Sequence, residues 1–249
     1  MRRLLIIIGT VLSLTATAAK KQQAPAVSVT DLRTERLVNP MSLDTPTPRI
    51  GWRIEASVND VMQTGYRIIV SSTPEKAEAL EGDLWDAAVS SDRSQWIPYE
   101  GKALKSNTRC YWRVKITTTQ GESGWSDVAL WNIGLLTESD WRGRWIGWSH
   151  TMPWDVVSEH SRLSARYLRH EFHCDKQVQK ATLYISGLGM YEAFINGHRV
   201  GEQVLAPPPT DYRQTVLYNA YDVTGMLAHD NAIGVILGNG CYYTMHQEN

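Results

Sequence analysis

His170-Glu171-Phe172-His173-Cys174 packs several metal-ligating side-chain types into one short run. Two histidines three apart share a face only on a helix, and this run alternates like a strand, which sends His170 and His173 to opposite faces. No chelate is expected there. Gly187-Leu188-Gly189 lacks the third glycine and the following helix of a dinucleotide site and reads as a turn between strands. There is no Gly-x-Ser-x-Gly elbow, and neither Cys110, Cys174 nor Cys241 has the surroundings of a nucleophile. Hydrolysis of a glycosidic bond needs two carboxylates facing a sugar, roughly 6.5–9.5 Å apart in an inverting enzyme. The acidic group Glu75, Glu78, Glu81, Asp83 and Asp86 falls on a short helix and loop and reads as a solvated face. The expectation is no catalytic set, no metal site and no cofactor.

Binding is easier to place than catalysis. Sugar rings stack their C–H faces on aromatic side chains while their hydroxyls need fixed donors and acceptors. Tyr212 beside Asp211, and Tyr242 and Tyr243 after the Gly240 turn, have that character and are the candidate carbohydrate contacts. The competing readings are a turn-capping role for Asp211, which follows Pro207-Pro208-Pro209, and simple packing of Tyr212 beneath the prolines. Trp141, Trp145 and Trp148 could form a sugar platform or a wedge between domains, and the wedge is preferred. Tyr184 and Tyr191 sit inside alternating strands and are assigned to a core.

The elements that must carry these residues are strands. Arg49–Ile54 alternates with period two, placing Ile50, Trp52 and Ile54 on one face, and Tyr66–Val70 and Tyr111–Ile116 behave similarly. A short helix is predicted over Pro74–Leu80, capped by Ser72 or Thr73 and ended by Gly82-Asp83. Tyr111-Trp112-Arg113-Val114 followed by Gly121-x-x-x-Trp125-Ser126 is similar to the last two strands of fibronectin type III domains. Further strands are predicted at Leu168–Phe172, Ala181–Ile185, Val216–Tyr218 and Ala232–Leu237. Tyr191–Ile195 and His198–Val200 flank Asn196-Gly197, a strong hairpin signal because both turn residues tolerate positive φ. The fold class is all-β: a fibronectin type III-like sandwich over 27–137, a Trp-rich junction over 138–165, and the N-terminal part of a jelly roll, an incomplete β-sandwich, over 166–249.

At the start, Met1-Arg2-Arg3, an apolar run from Leu4 to Leu14 and Ala16-Thr17-Ala18 have the order of a signal peptide over 1–18. The run is well short of the ~20 residues that span a bilayer, so no membrane anchor is expected. Residues 19–26 read as a linker. The predicted location is periplasmic or extracellular. The net charge is −1, and removing Arg2 and Arg3 makes it more negative, which leaves no electrostatic case for nucleic acid. Three cysteines are too few for a disulfide framework. Hydrophobic burial must therefore hold the core, and ten Trp and eleven Tyr against two Phe supply much of it.

The order of segments resembles the bacterial α-L-rhamnosidases, glycoside hydrolase family 78. In the sandwich the matching segments are Asn39-Pro40-Met41-Ser42-Leu43-Asp44, Pro48-Arg49-Ile50-Gly51-Trp52, Gln63-Thr64-Gly65-Tyr66-Arg67-Ile68, Leu84-Trp85-Asp86 and Tyr111-Trp112-Arg113-Val114. In the second module they are Gly187–Glu192, Ile195–Gly201, Thr210-Asp211-Tyr212, Tyr221-Asp222-Val223-Thr224 and Leu237-Gly238-Asn239-Gly240. Cys241 departs from the family's Trp. The resemblance implies accessory modules of a secreted enzyme that removes terminal α-L-rhamnose, packed against a C-terminal (α/α) barrel that carries the acid and base. That barrel is absent here, so no catalytic residue carries over, and the jelly roll is expected to stop mid-fold with an exposed strand edge. The implied partner is a rhamnose-containing glycan or glycoside. The rival readings are the accessory region of another exo-glycosidase and a stand-alone carbohydrate-binding or adhesion protein.

Overall fold

A computed structural model describes residues 27–148, 150–155, 163–240 and 242. The predicted signal peptide and linker, Cys241 and Tyr243 lie outside the described residues. The first module contains β1 (Val27–Thr34), β2 (Arg49–Ala56), β3 (Gln63–Ser71), α1 (Pro74–Glu78), β4 (Trp85–Val89), β5 (Ile97–Pro98), β6 (Arg109–Thr118), β7 (Gly121–Glu122) and β8 (Ala129–Asn132). One antiparallel sheet has the order β1-β2-β5. The other runs β4-β3-β6, with β7 and β8 both pairing with β6. Their inner faces close on one core.

The alternation behind this sandwich is cleanest in β6. Cys110, Trp112, Val114 and Ile116 are fully buried between the partly exposed Tyr111, Arg113 and Lys115. Removing the Val114 and Ile116 side chains from water contributes roughly 1.5–3 kcal/mol each. β3 departs from period two, because Ile69 is buried along with Ile68 and Val70. The helix α1 packs against the outer side of β3 and β6, with Ala77 buried, so both faces of β3 are covered. The Thr73 hydroxyl caps α1 by accepting from the Lys76 amide at 3.3 Å. The helix ends earlier than the predicted Gly82-Asp83 stop, since Leu80 already adopts φ 61°.

The predicted last strand at Gly121–Ser126 is also shorter than expected. After β7 the chain stays beside β6 through side chains as well as backbone. The Ser123 and Ser126 hydroxyls accept from the amides of Ile116 and Val114 at 3.0 and 3.1 Å. Those same serines donate their own amides back to the Ile116 and Val114 carbonyls.

The second module contains β9 (Arg166–His173), β10 (Thr182–Ser186), β11 (Met190–Ile195), β12 (His198–Arg199), β13 (Tyr218–Asp222) and β14 (Asp230–Gly238). Its sheets are β12-β11-β14-β9 and the pair β10-β13. Asn196 and Gly197, at φ 51° and 82°, make the predicted hairpin between β11 and β12. Val216 and Leu217, expected to begin a strand, lie before β13. A tight turn at Asp211–Thr215 occupies the chain just ahead of them, and pairing begins only where Tyr218 meets Ser186. The core of this module is small, centred on Tyr191, Ala193, Ile195 and Tyr221, and β10 is half-exposed along its whole length. No helix among the described residues is long and apolar enough to cross a membrane.

Candidate functional site

Two of the candidate sugar contacts meet in space. Tyr212 and Tyr242 pack edge to face with ring centroids 5.6 Å apart, and Tyr242 is 49% exposed. The meeting depends on two glycines, Gly240 just past β14 and Gly189 just before β11. Gly240 takes φ 51° and Gly189 takes φ 111°, and their backbones pack so closely that a Cβ on Gly240 would sit 2.9 Å from Gly189 Cα. This contact and the bond from the Tyr242 amide to the Asn239 carbonyl turn the chain back toward Tyr212. Tyr243 lies outside the described residues.

Asp211 has a structural task. Its Oδ1 accepts from the Arg213 amide at 3.1 Å, and its carbonyl accepts from the Gln214 and Thr215 amides. The Arg213 guanidinium and amide hold its carboxyl below the usual range. Asp211 thus builds the turn that carries Tyr212, the alternative weighed from sequence. Three of the five residues in the acidic group of the first module form separate surface ion pairs. Asp83 meets Lys76, Asp86 meets Arg67 and Glu78 meets Arg113.

The junction between modules is built mainly by β10 and β13. Tyr184, assigned from sequence to a core, reaches instead into the first module. Its hydroxyl donates to Asn107 Oδ1 at 3.1 Å and accepts from Asn132 Nδ2 at 3.4 Å. The Tyr218 hydroxyl receives the Ser42 hydroxyl and the Leu135 amide at 3.1 and 3.0 Å. Lys180 Nζ donates to the Asn107 carbonyl at 2.7 Å. Arg109, almost buried, pairs with Asp222 at 2.7 Å. Burial opposes the Asp222 charge, but bonds from Thr224 and Arg109 outweigh it and lower its pKa. Burial, reinforced by the nearby Arg109 charge, lowers the pKa of Lys180.

The tryptophans divide. Trp141, itself 37% exposed, packs on Tyr218 with centroids 5.7 Å apart, which meets the expected wedge only in part. Trp145 and Trp148 do not meet it, being 64% and 52% exposed. Trp141 and Trp145 border a cavity of about 180 Å³ whose floor includes Tyr184, Tyr191, Val235 and Leu237. Aromatic and aliphatic surfaces in a shallow cleft suit stacking on an apolar face. None of these contacts across the junction was legible from spacing, because the partners lie far apart in the chain.

Comparisons with known proteins agree with this architecture. Residues 29–137 match the family described as Rha78A-like, N-terminal immunoglobulin domain, and residues 176–249 match the α-L-rhamnosidase N-terminal domain. An α-L-rhamnosidase of Formosa agariphila is 36% identical over 82% of this chain and 23% of its own length. One from Alteromonas sp. is 34% identical over 84% of this chain and 23% of its own. The solved α-L-rhamnosidase of Dictyoglumus thermophilum superposes with a TM-score of 0.76 at 37% identity, covering 86% of this chain and 25% of that one. That of Aspergillus terreus gives 0.74 at 31%, over 87% and 24%. The chain therefore spans about a quarter of the length of these relatives. It carries the two N-terminal domains, immunoglobulin-type and following β-sandwich, of the α-L-rhamnosidase family.

Proposed function

We propose that this chain is the non-catalytic accessory region of an α-L-rhamnosidase that acts on rhamnose-bearing glycans or glycosides. The junction is the observation that carries this reading. An ion pair and several hydrogen bonds, including those of the Tyr184 and Tyr218 hydroxyls, join the modules, as a brace for a neighbouring domain requires. Within that role, Tyr212 and Tyr242 form the sugar-facing surface, with Asp211 holding the turn and Tyr243 adjoining in sequence. Export to the periplasm or medium follows from residues 1–18.

The test has two parts. The purified chain is expected not to hydrolyse p-nitrophenyl α-L-rhamnoside. Turnover above an empty-vector control, lost on mutating one acidic residue, overturns the accessory role. Rhamnose titration followed by NMR is expected to shift the Tyr212 and Tyr242 resonances. Binding that persists in the Tyr212→Ala, Asp211→Ala double variant removes this surface from the assignment.

A further inference from the structure

The sequence run 170–174 does not form a chelate within itself, yet one of its histidines finds partners across the sheet. His173 is the last residue of β9, and Asp230, the first of β14, is its cross-strand partner. His229 precedes Asp230. The Nδ1 atoms of both histidines converge on one oxygen, Asp230 Oδ1, at 2.6 and 3.0 Å. All three ligand atoms lie within 4.8 Å of one another, and the three side chains are exposed. The imidazole centroids are 6.1 Å apart at 45°, so the rings face a common point without stacking.

We propose that His173, His229 and Asp230 form a surface site for a divalent transition-metal ion of the zinc, copper or nickel type. Two neutral imidazoles and one carboxylate are a donor set that suits these ions better than calcium or magnesium. When the ion binds, each ring carries its proton on Nε2 and presents the Nδ1 lone pair. Zinc–nitrogen and zinc–oxygen bonds of roughly 2.0–2.2 Å in tetrahedral geometry place ligand atoms roughly 3.3 Å apart. From 2.6 and 3.0 Å, the His173–Asp230 and His229–Asp230 separations therefore need to open by roughly 0.7 and roughly 0.3 Å, which exposed side chains allow. Solvent completes the coordination. The ion would clip the end of β9, an edge strand of its sheet, to β14 and to the turn before it.

The test uses the full chain, free of any affinity tag and stripped with chelator. Calorimetric titration with Zn²⁺ is expected to show one saturable equivalent, and Zn²⁺ is expected to raise the melting temperature. Asp230→Asn and His229→Gln should each weaken binding by roughly tenfold or more. These residues are exposed, so circular dichroism should remain that of the unmodified chain. With Cu²⁺, electron paramagnetic resonance should report two coordinated imidazoles, falling to one in His173→Gln. Cys174 lies next to His173, so Cys174→Ser serves as the discriminating variant and should leave binding unchanged. Absence of saturable binding overturns the site. So does binding retained in the His173→Gln, His229→Gln, Asp230→Asn triple variant, or binding lost in Cys174→Ser alone.

Discussion

Gln63 shows how a single buried polar residue organises the first module. It is 5% exposed. Its Oε1 accepts from Trp52 Nε1 at 3.0 Å, and its Nε2 donates to the Ser91 and Arg93 carbonyls at 3.0 and 2.7 Å. The amide thereby orients the ring at the centre of β2 and anchors the loop before β5. Trp52 in turn meets Tyr66 edge to face with centroids 5.2 Å apart. Gln63→Leu preserves bulk but leaves an indole N–H and two carbonyls without these partners. The expected loss is about 2–4 kcal/mol of unfolding free energy, measured by urea denaturation. A change below about 0.5 kcal/mol would mean that the amide only fills space. The motif residues that carried the resemblance are, at this position, residues of structure.

At the scale of elements, α1 is too short to persist alone and depends on its caps and on the sheet beneath it. Asp83, in the loop after α1, closes that arrangement. Its carboxylate receives the Ser72 amide and hydroxyl at 2.8 and 2.7 Å and Lys76 Nζ at 2.6 Å. Partial burial raises its pKa, but the bonds from Lys76 and Ser72 outweigh that and bring it down to about 2. A carboxyl depressed in the folded state contributes stability that is fully present above its ordinary pKa near 3.8. That contribution is lost as the pH falls through about 2. Asp83→Asn should therefore lower stability at neutral pH and flatten the pH dependence between about 4 and 2, as followed by thermal denaturation. An unchanged acid limb in the variant would assign that limb to other carboxylates.

The whole molecule is set by how the modules meet. Arg109 sits at the start of β6 and Asp222 at the end of β13, so their ion pair spans the junction. Arg109 is nearly buried and Asp222 is partly exposed, which places the pair between a surface bridge and a desolvated one. A double-mutant cycle on Arg109→Ala and Asp222→Ala should return a coupling of about 1 kcal/mol in the unfolding free energy. Additive effects would mean that the tyrosine contacts hold the junction without the ion pair. Because the folded-state pKa of Asp222 is lowered, its share of the junction is present at neutral pH and disappears as acid protonates the carboxylate. The modules are then expected to gain relative freedom in acid before either sandwich unfolds, which small-angle scattering would register.

Alternation and turn chemistry were enough to read β2, β3, β6, β9, β10, β11 and β14, the short helix, the Asn196-Gly197 hairpin and the all-β class from residues alone, whereas β1, β4, β5 and β8 emerged only in the structure. These features depend on neighbours a few positions apart, and period-two burial repeats itself visibly along β6 and, apart from the buried Gly51, along β2. The ordered segments from Asn39 to Gly240 likewise placed the chain in its family. Tertiary structure decided what depends on residues far apart in sequence. It buried Ile69 under α1, moved Tyr184 from a core to the junction and brought Tyr212 to Tyr242. It also set His173 beside Asp230, though the sequence separates them by most of the second module. Spacing along a chain reports the face of an element, whereas convergence of side chains depends on sheet order and register, which form only when distant strands pair.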